Sequence, residues 1–123
     1  MRAYLEFVEA QRSARGLTGK ALADALRPSA VRTVAVPLDI VRSSEKVVEL
    51  AGELAARGNP KLRADAVVAA MLCGAAAEAG ALLIGVNVGV KPGSRSRDER
   101  LAEAKRLARS IRTRARRLAS PAP

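Results

Sequence analysis

Apolar residues recur at three- and four-residue spacing along almost all of this chain, the period of an α-helix. Residues 2–15 read as a first helix, with Leu5, Val8 and Arg12 at turn spacing and Gly16 closing it. Thr18 is placed to cap a short helix over residues 18–26, which Pro28 is expected to halt. The pattern resumes from Ser29 to Arg57 with Pro37 inside it, so a kink or a junction of two helices is expected there. Ile40, Val47, Leu50 and Leu54 lie near one face of that segment, and Ser43 and Ser44 keep the face small for one turn. Glu45, Glu49 and Glu53 form an acidic stripe that repels itself unless cations face it.

Gly58-Asn59-Pro60 is a strong stop: Arg57 suits the negative helix end, Gly58 a left-handed cap, and Pro60 blocks continuation. The next helix starts near residues 62–64 and runs to about Val88. Between Ala66 and Val90 its single charge is Glu78, and Gly74, Gly80, Gly85 and Gly89 allow close approach of neighbouring backbones. Such a stretch is long enough to span a bilayer. Its Ala and Gly content, the central Glu78 and the lack of an aromatic belt fit the centre of a helical bundle better. Residues 91–95 read as a linker, and Ser96-Arg97-Asp98-Glu99 as a capping box with Ser96 at the cap. Leu101, Ala104, Ala108, Ile111, Ala115 and Leu118 then mark one seam of a last helix ending near Ala119, followed by a frayed, disordered tail over residues 120–123. The fold class is therefore all-α: one domain over residues 1–119, an up-and-down bundle of four or five helices.

Composition sharpens this picture. Aromatic residues make up 2% of 123 positions, Tyr4 and Phe7 alone, so the core must come from Ala, Leu and Val at close helix contacts. Small cores of that kind gain little buried area, and a homodimer or higher homo-oligomer is expected to complete the burial. The net charge of +10 is uneven: residues 1–90 hold 11 basic and 9 acidic side chains, residues 91–123 hold 11 and 3. A basic tail attracts polyanions. Nothing aromatic interleaves these charges to stack on bases, so a solvated Arg-rich helix is the simpler reading than nucleic-acid binding. Histidine is absent and Cys73 is alone, which removes Ser-His and Cys-His nucleophile pairs, the usual zinc ligands and any disulfide framework. No metal is expected, and chemistry would fall to carboxylates, Lys or backbone groups. The start, MRAYLEFVEAQR, lacks the apolar core of a signal peptide, which leads to the expectation of a cytoplasmic protein.

Four words in the middle of the chain carry a resemblance: Val36-Pro37-Leu38, Gly58-Asn59-Pro60, Asp65-Ala66 and the Val86-Asn87 terminus. Their order over residues 36–88 resembles the C-terminal half of the cyclodeaminase/cyclohydrolase family, an all-helical domain acting on tetrahydrofolate one-carbon units. That resemblance implies a tetrahydrofolate derivative as substrate and a dimeric assembly binding it between packed helices. It implies either expulsion of ammonia from formiminotetrahydrofolate with ring closure, or hydrolysis of the methenyl ring; which reaction applies stays open here. Asp65 matches the acid of the family's Ser-Asp-Ala word, with Ala64 in place of the Ser, and would act as acid and base. Asn59 and Asn87 would orient substrate. Asn87 closes the family's Asn-Val-Arg-Ile-Asn word, in which Leu83 and Gly85 replace Asn and Arg and weaken anion binding. Family domains also carry a Pro-Gly-Gly-Gly-Ser-like stretch lining the folate site. This chain has none, so the resemblance is to an N-terminally shortened member.

The same residues have plainer uses. Asp in a first helical turn pairs with the helix dipole, Asn before Pro is ordinary turn chemistry, and Asn87 suits a helix C-terminus. Glu78, isolated on an apolar helix, is expected either at a wet edge or paired across an interface with an Arg, ahead of catalysis, and Cys73 to be a small buried residue. Two function classes therefore stand beside the folate enzyme: a non-catalytic helical scaffold or subunit with an eroded folate pocket, and a nucleic-acid binder using the basic last helix.

Overall fold

The computed structural model describes residues 1–90 and 97–120. It consists of four helices, α1 (Arg2–Ser13), α2 (Gly19–Arg57), α3 (Arg63–Asn87) and α4 (Glu99–Ala119), with a single 3₁₀ turn, Pro60–Leu62, between α2 and α3. No strand occurs among the described residues, and the all-α bundle stands. α2 and α3 form a long antiparallel hairpin about the Gly58-Asn59-Pro60 corner; α4 packs across both, and α1 packs on α2.

One expectation fails at α2. Pro28 neither halts a helix nor separates two, and Pro37 does not mark a junction: a single 39-residue helix runs through both. A proline removes one N–H and crowds the carbonyl four residues back. Tertiary contacts offset that loss here. α1 binds the chain on the far side of Pro28, where Glu6 accepts an ion pair from Arg32 at 2.9 Å. Pro37 is buried against α3. At the other end Gly58 caps α2 with extended backbone (φ −80°) rather than the left-handed turn expected of it. Its glycine identity has a steric reason: a Cβ there would collide with the Leu54 carbonyl oxygen.

The core follows from small residues on α3. Ala66, Ala70, Ala77, Ala81 and Ile84 are buried together with Val34, Leu38, Val41, Val48 and Ala51 of α2. The α4 seam behaves as its spacing predicts, with Leu101, Ala104, Ala108, Ile111 and Ala115 buried and Leu107 added. Close approach is tightest at Gly80, where a Cβ would stand 2.7 Å from Val41 Cγ2 and 3.1 Å from the Pro37 carbonyl oxygen. On the α4 side, Gly74 meets Ala115 at an ordinary 3.7 Å. Asp98 caps α4, its carboxylate accepting from the backbone N–H groups of Arg100 and Leu101 at 2.9 and 3.3 Å. Ser96, expected at that cap, lies outside the described residues, as do the linker at 91–95 and the end of the tail at 121–123.

Two faces remain uncovered. The Ile40, Val47, Leu50 and Leu54 face of α2 is exposed; the buried stripe is its neighbour, Val34, Leu38, Val41, Ser44, Val48 and Ala51. The segment Pro60–Asn87 has the length and apolarity to cross a bilayer, with 33% of its most apolar window buried.

The Gly80 contact predicts an asymmetric response to added volume. Gly80→Val is expected to lower stability by about 2–3 kcal/mol through overpacking against α2. Gly52→Ala, where a Cβ meets nothing within 4 Å, should raise it by about 0.5–1 kcal/mol through helix propensity. Equal effects of the two substitutions in urea unfolding would contradict the close approach.

Candidate functional site

The hairpin corner builds one concavity. Leu54 and Gly58 from the end of α2, Asn59 and Leu62 from the turn, and Asp65, Ala66 and Ala69 from the first turns of α3 line a groove of about 300 Å³. Asn59 is locked by its own loop: its side-chain oxygen accepts from the Lys61 backbone N–H at 3.0 Å, and Pro60 starts the 3₁₀ turn. That leaves its NH₂ group as the donor available to a ligand. Asp65 sits in the first turn of α3, where N–H groups lack helix partners, and its carboxylate is exposed with no ion pair among the described residues. The corner is fastened from outside by Arg63, which donates to the Ala55 carbonyl at 3.1 Å. An exposed carboxylate and an amide on one apolar groove can exchange a proton with a bound polar edge and orient it.

Asn87 stands elsewhere. It is 22 residues from Asp65 along one helix, about 33 Å at 1.5 Å per residue. Within one chain Asn59 and Asp65 therefore share a groove and Asn87 does not. Its amide donates to the Thr33 carbonyl oxygen at 2.7 Å. Thr33 precedes Pro37 by four residues, so its carbonyl is the one the missing proline N–H leaves unbonded. Asn87 fills that vacancy, which sequence reasoning did not anticipate because it expected a kink or a junction at Pro37 rather than one continuous helix. It also borders a second, larger groove of about 540 Å³, between Tyr4 and Phe7 of α1, Thr33, Val36 and Ile40 of α2, and Leu83 of α3.

Three further ion pairs clamp α4 to its neighbours. Arg42 grips Glu103 in a bidentate pair at 2.9 and 3.0 Å. Glu78 pairs with Arg112 of α4 at 2.7 Å within the chain, at an exposed edge between the two helices. Arg114 reaches Glu49 at 2.9 Å, supplying a cation to the acidic stripe. The Arg42 hydrogen bond holds the Glu103 carboxyl below its ordinary value, and the Arg100 side chain does the same for Asp98. Cys73 is half-buried, and no group of three metal-binding side chains occurs among the described residues.

With this geometry in view, comparison with known proteins is decisive at the level of family. Residues 1–106 match the model of the formiminotransferase-cyclodeaminase family, which is most of the chain. The chain belongs to this family. The match takes in α1, α2, α3 and the first turns of α4, well beyond the 36–88 segment, and stops before the Arg-rich end at Arg109 to Arg117. No curated protein and no solved structure matches the chain.

Two measurements test these assignments. Asn87→Ala should cost about 1 kcal/mol by freeing the Thr33 carbonyl, and less in a Pro37→Ala background, where residue 37 regains its N–H. Additive effects in that double-mutant cycle would remove the link between the two residues. For the acids the sign is definite: Glu103 and Asp98 titrate lower folded than unfolded, so the unfolded chain binds more protons between the two values. Stability should be full above the ordinary values of 4.5 and 3.8 and fall as pH drops through the lowered ones. Glu103→Gln should flatten part of that acid limb in thermal melts; an unchanged limb would refute the clamp.

Proposed function

We propose that this family member acts on a tetrahydrofolate derivative carrying a one-carbon unit, as a cyclodeaminase or cyclohydrolase, at the groove of Asn59 and Asp65. Family membership over residues 1–106 supports the folate class. The observation that carries the site is the exposed Asp65 carboxylate, set beside Asn59 on a groove at the positive end of α3. Its volume of about 300 Å³ is at the low end for small-molecule sites and suits a bicyclic head rather than a whole folate.

In ring closure, the attacking nitrogen forms a bond to the formimino carbon while the bond from that carbon to ammonia breaks. Asp65 would take the proton released by the attacking nitrogen and return it to the departing ammonia, so one carboxylate serves as base and then acid. In the hydrolytic direction the same carboxylate would take a proton from a water adding to the cationic amidinium carbon, and its charge would steady that cation. Asn59, held by Lys61, would donate its NH₂ to an acceptor on the substrate edge.

Calorimetric titration of the intact protein with methenyltetrahydrofolate should show saturable heat. Asp65→Asn should keep that binding within a few-fold while lowering turnover about 10²–10⁴-fold. Flat heats discard the folate reading, and unaltered turnover in the variant discards Asp65.

A further inference from the structure

α3 is apolar on its outer side as well as its inner one. Val68, Leu72, Ala75, Ala79, Leu82 and Val86 follow one another at steps of 4, 3, 4, 3 and 4, and every one is exposed. Leu72, Leu82 and Val86 are 67%, 69% and 66% exposed, so these side chains stand clear of the core rather than at its margin. A contiguous apolar face of this extent marks a site of interaction.

The charges that border it name the chemistry of its occupant. α4 runs antiparallel beside α3, with Leu101 near Gly85 and Ala115 near Gly74. Glu78 shares a line of α3 with Met71 and Leu82, at the rim of the apolar face, and is held by Arg112 of α4 at 2.7 Å. Arg112 therefore stands at that rim, and Lys105, Arg109 and Arg116 lie on its side of α4, the four at steps of 4, 3 and 4 and all exposed. Lys105, Arg109 and Arg116 have no ion pair among the described residues. From Ala104 to Ala119 α4 has no acid, and Glu103 is turned to the opposite flank by Arg42. Asp65 precedes the face, at the start of α3.

We propose that this side of the molecule docks on an anionic lipid surface, the outer face of α3 lying in the headgroup–acyl boundary and the α4 row at the lipid phosphates. An apolar face and a cationic rim together fit that occupant. A nucleic acid would engage the cations and leave the apolar face in water; a neutral surface would leave the rim unmatched. α3 lies on such a surface rather than through it, because α2 and α4 pack on its other side. Arg109, Arg112 and Arg116 lie beyond the residues matched to the family, so most of the rim stands outside that match. The face does not include Asn59 or Asp65, and the proposal stands apart from the folate reading.

Co-sedimentation of the full chain with vesicles tests it, with helicity followed by circular dichroism. Binding to phosphatidylcholine vesicles containing phosphatidylglycerol should saturate, and should weaken as salt screens the rim. Vesicles of phosphatidylcholine alone should bind about tenfold or more weakly. Lys105→Gln, Arg109→Gln and Arg116→Gln together should lower affinity for the mixed vesicles about 100-fold, roughly fivefold for each charge. Leu72→Gln with Leu82→Gln should lower it about tenfold or more at any salt, with helicity unchanged. A native protein that stays in solution beside mixed vesicles overturns the proposal, and this is the result that burial of the face by another chain would give. Equal binding to both kinds of vesicle overturns it as well. So does a leucine variant that binds mixed vesicles as the native protein does, and tight binding of a DNA duplex by that variant would make the rim a nucleic-acid site instead.

Discussion

The close approach of α2 and α3 at Gly80 is the contact on which the remaining architecture rests. With almost no aromatic volume, this chain cannot fill space between distant helices and must bring backbones together. Gly80 lets α3 reach the Pro37 carbonyl and the Val41 side chain, and the flanking alanines extend the contact along both helices. Dispersion between close-packed small groups replaces the area that rings would bury. Once the hairpin is set, α4 has a groove for its Leu and Ala seam, and the Gly58-Asn59-Pro60 corner has a fixed shape.

Pro37 shows how the hairpin tolerates a helix breaker. A proline in an isolated helix leaves a carbonyl wanting and a ring pressing on the preceding turn. Here the ring is buried and the Thr33 carbonyl takes its hydrogen bond from Asn87, a residue from the far end of α3. The same antiparallel arrangement that supplies this bond separates Asn87 from Asp65 by the length of a helix. The family's matching words thus divide between the two ends of the hairpin, Asn59 and Asp65 at one and Asn87 at the other.

Charge plays two roles. On the covered side, Arg42, Arg112 and Arg114 tie α4 to its neighbours through Glu103, Glu78 and Glu49. Such exposed pairs contribute little individually, and their value lies in fixing the register of α4 on α2 and α3. On the uncovered side, charges line an apolar seam without closing over it.

Helix content was legible from periodicity alone, because the three- and four-residue spacing is dictated by each helix's own geometry. The α4 seam and the stop at the corner could be read that way, though Gly58 took extended backbone in place of the left-handed cap expected of it. So could the grouping of Asn59 with Asp65, since the turn and the first turn of the next helix are neighbours in sequence. What sequence could not decide was anything requiring two helices at once. Local propensity says Pro28 and Pro37 break a helix; packing against α1 and α3 keeps α2 whole. Periodicity gives two apolar stripes on α2 equal standing, and only the position of α3 buries the one through Val41 and leaves the one through Leu50 to solvent. The role of Asn87 likewise needed the tertiary fold, because the carbonyl it satisfies lies 54 residues away.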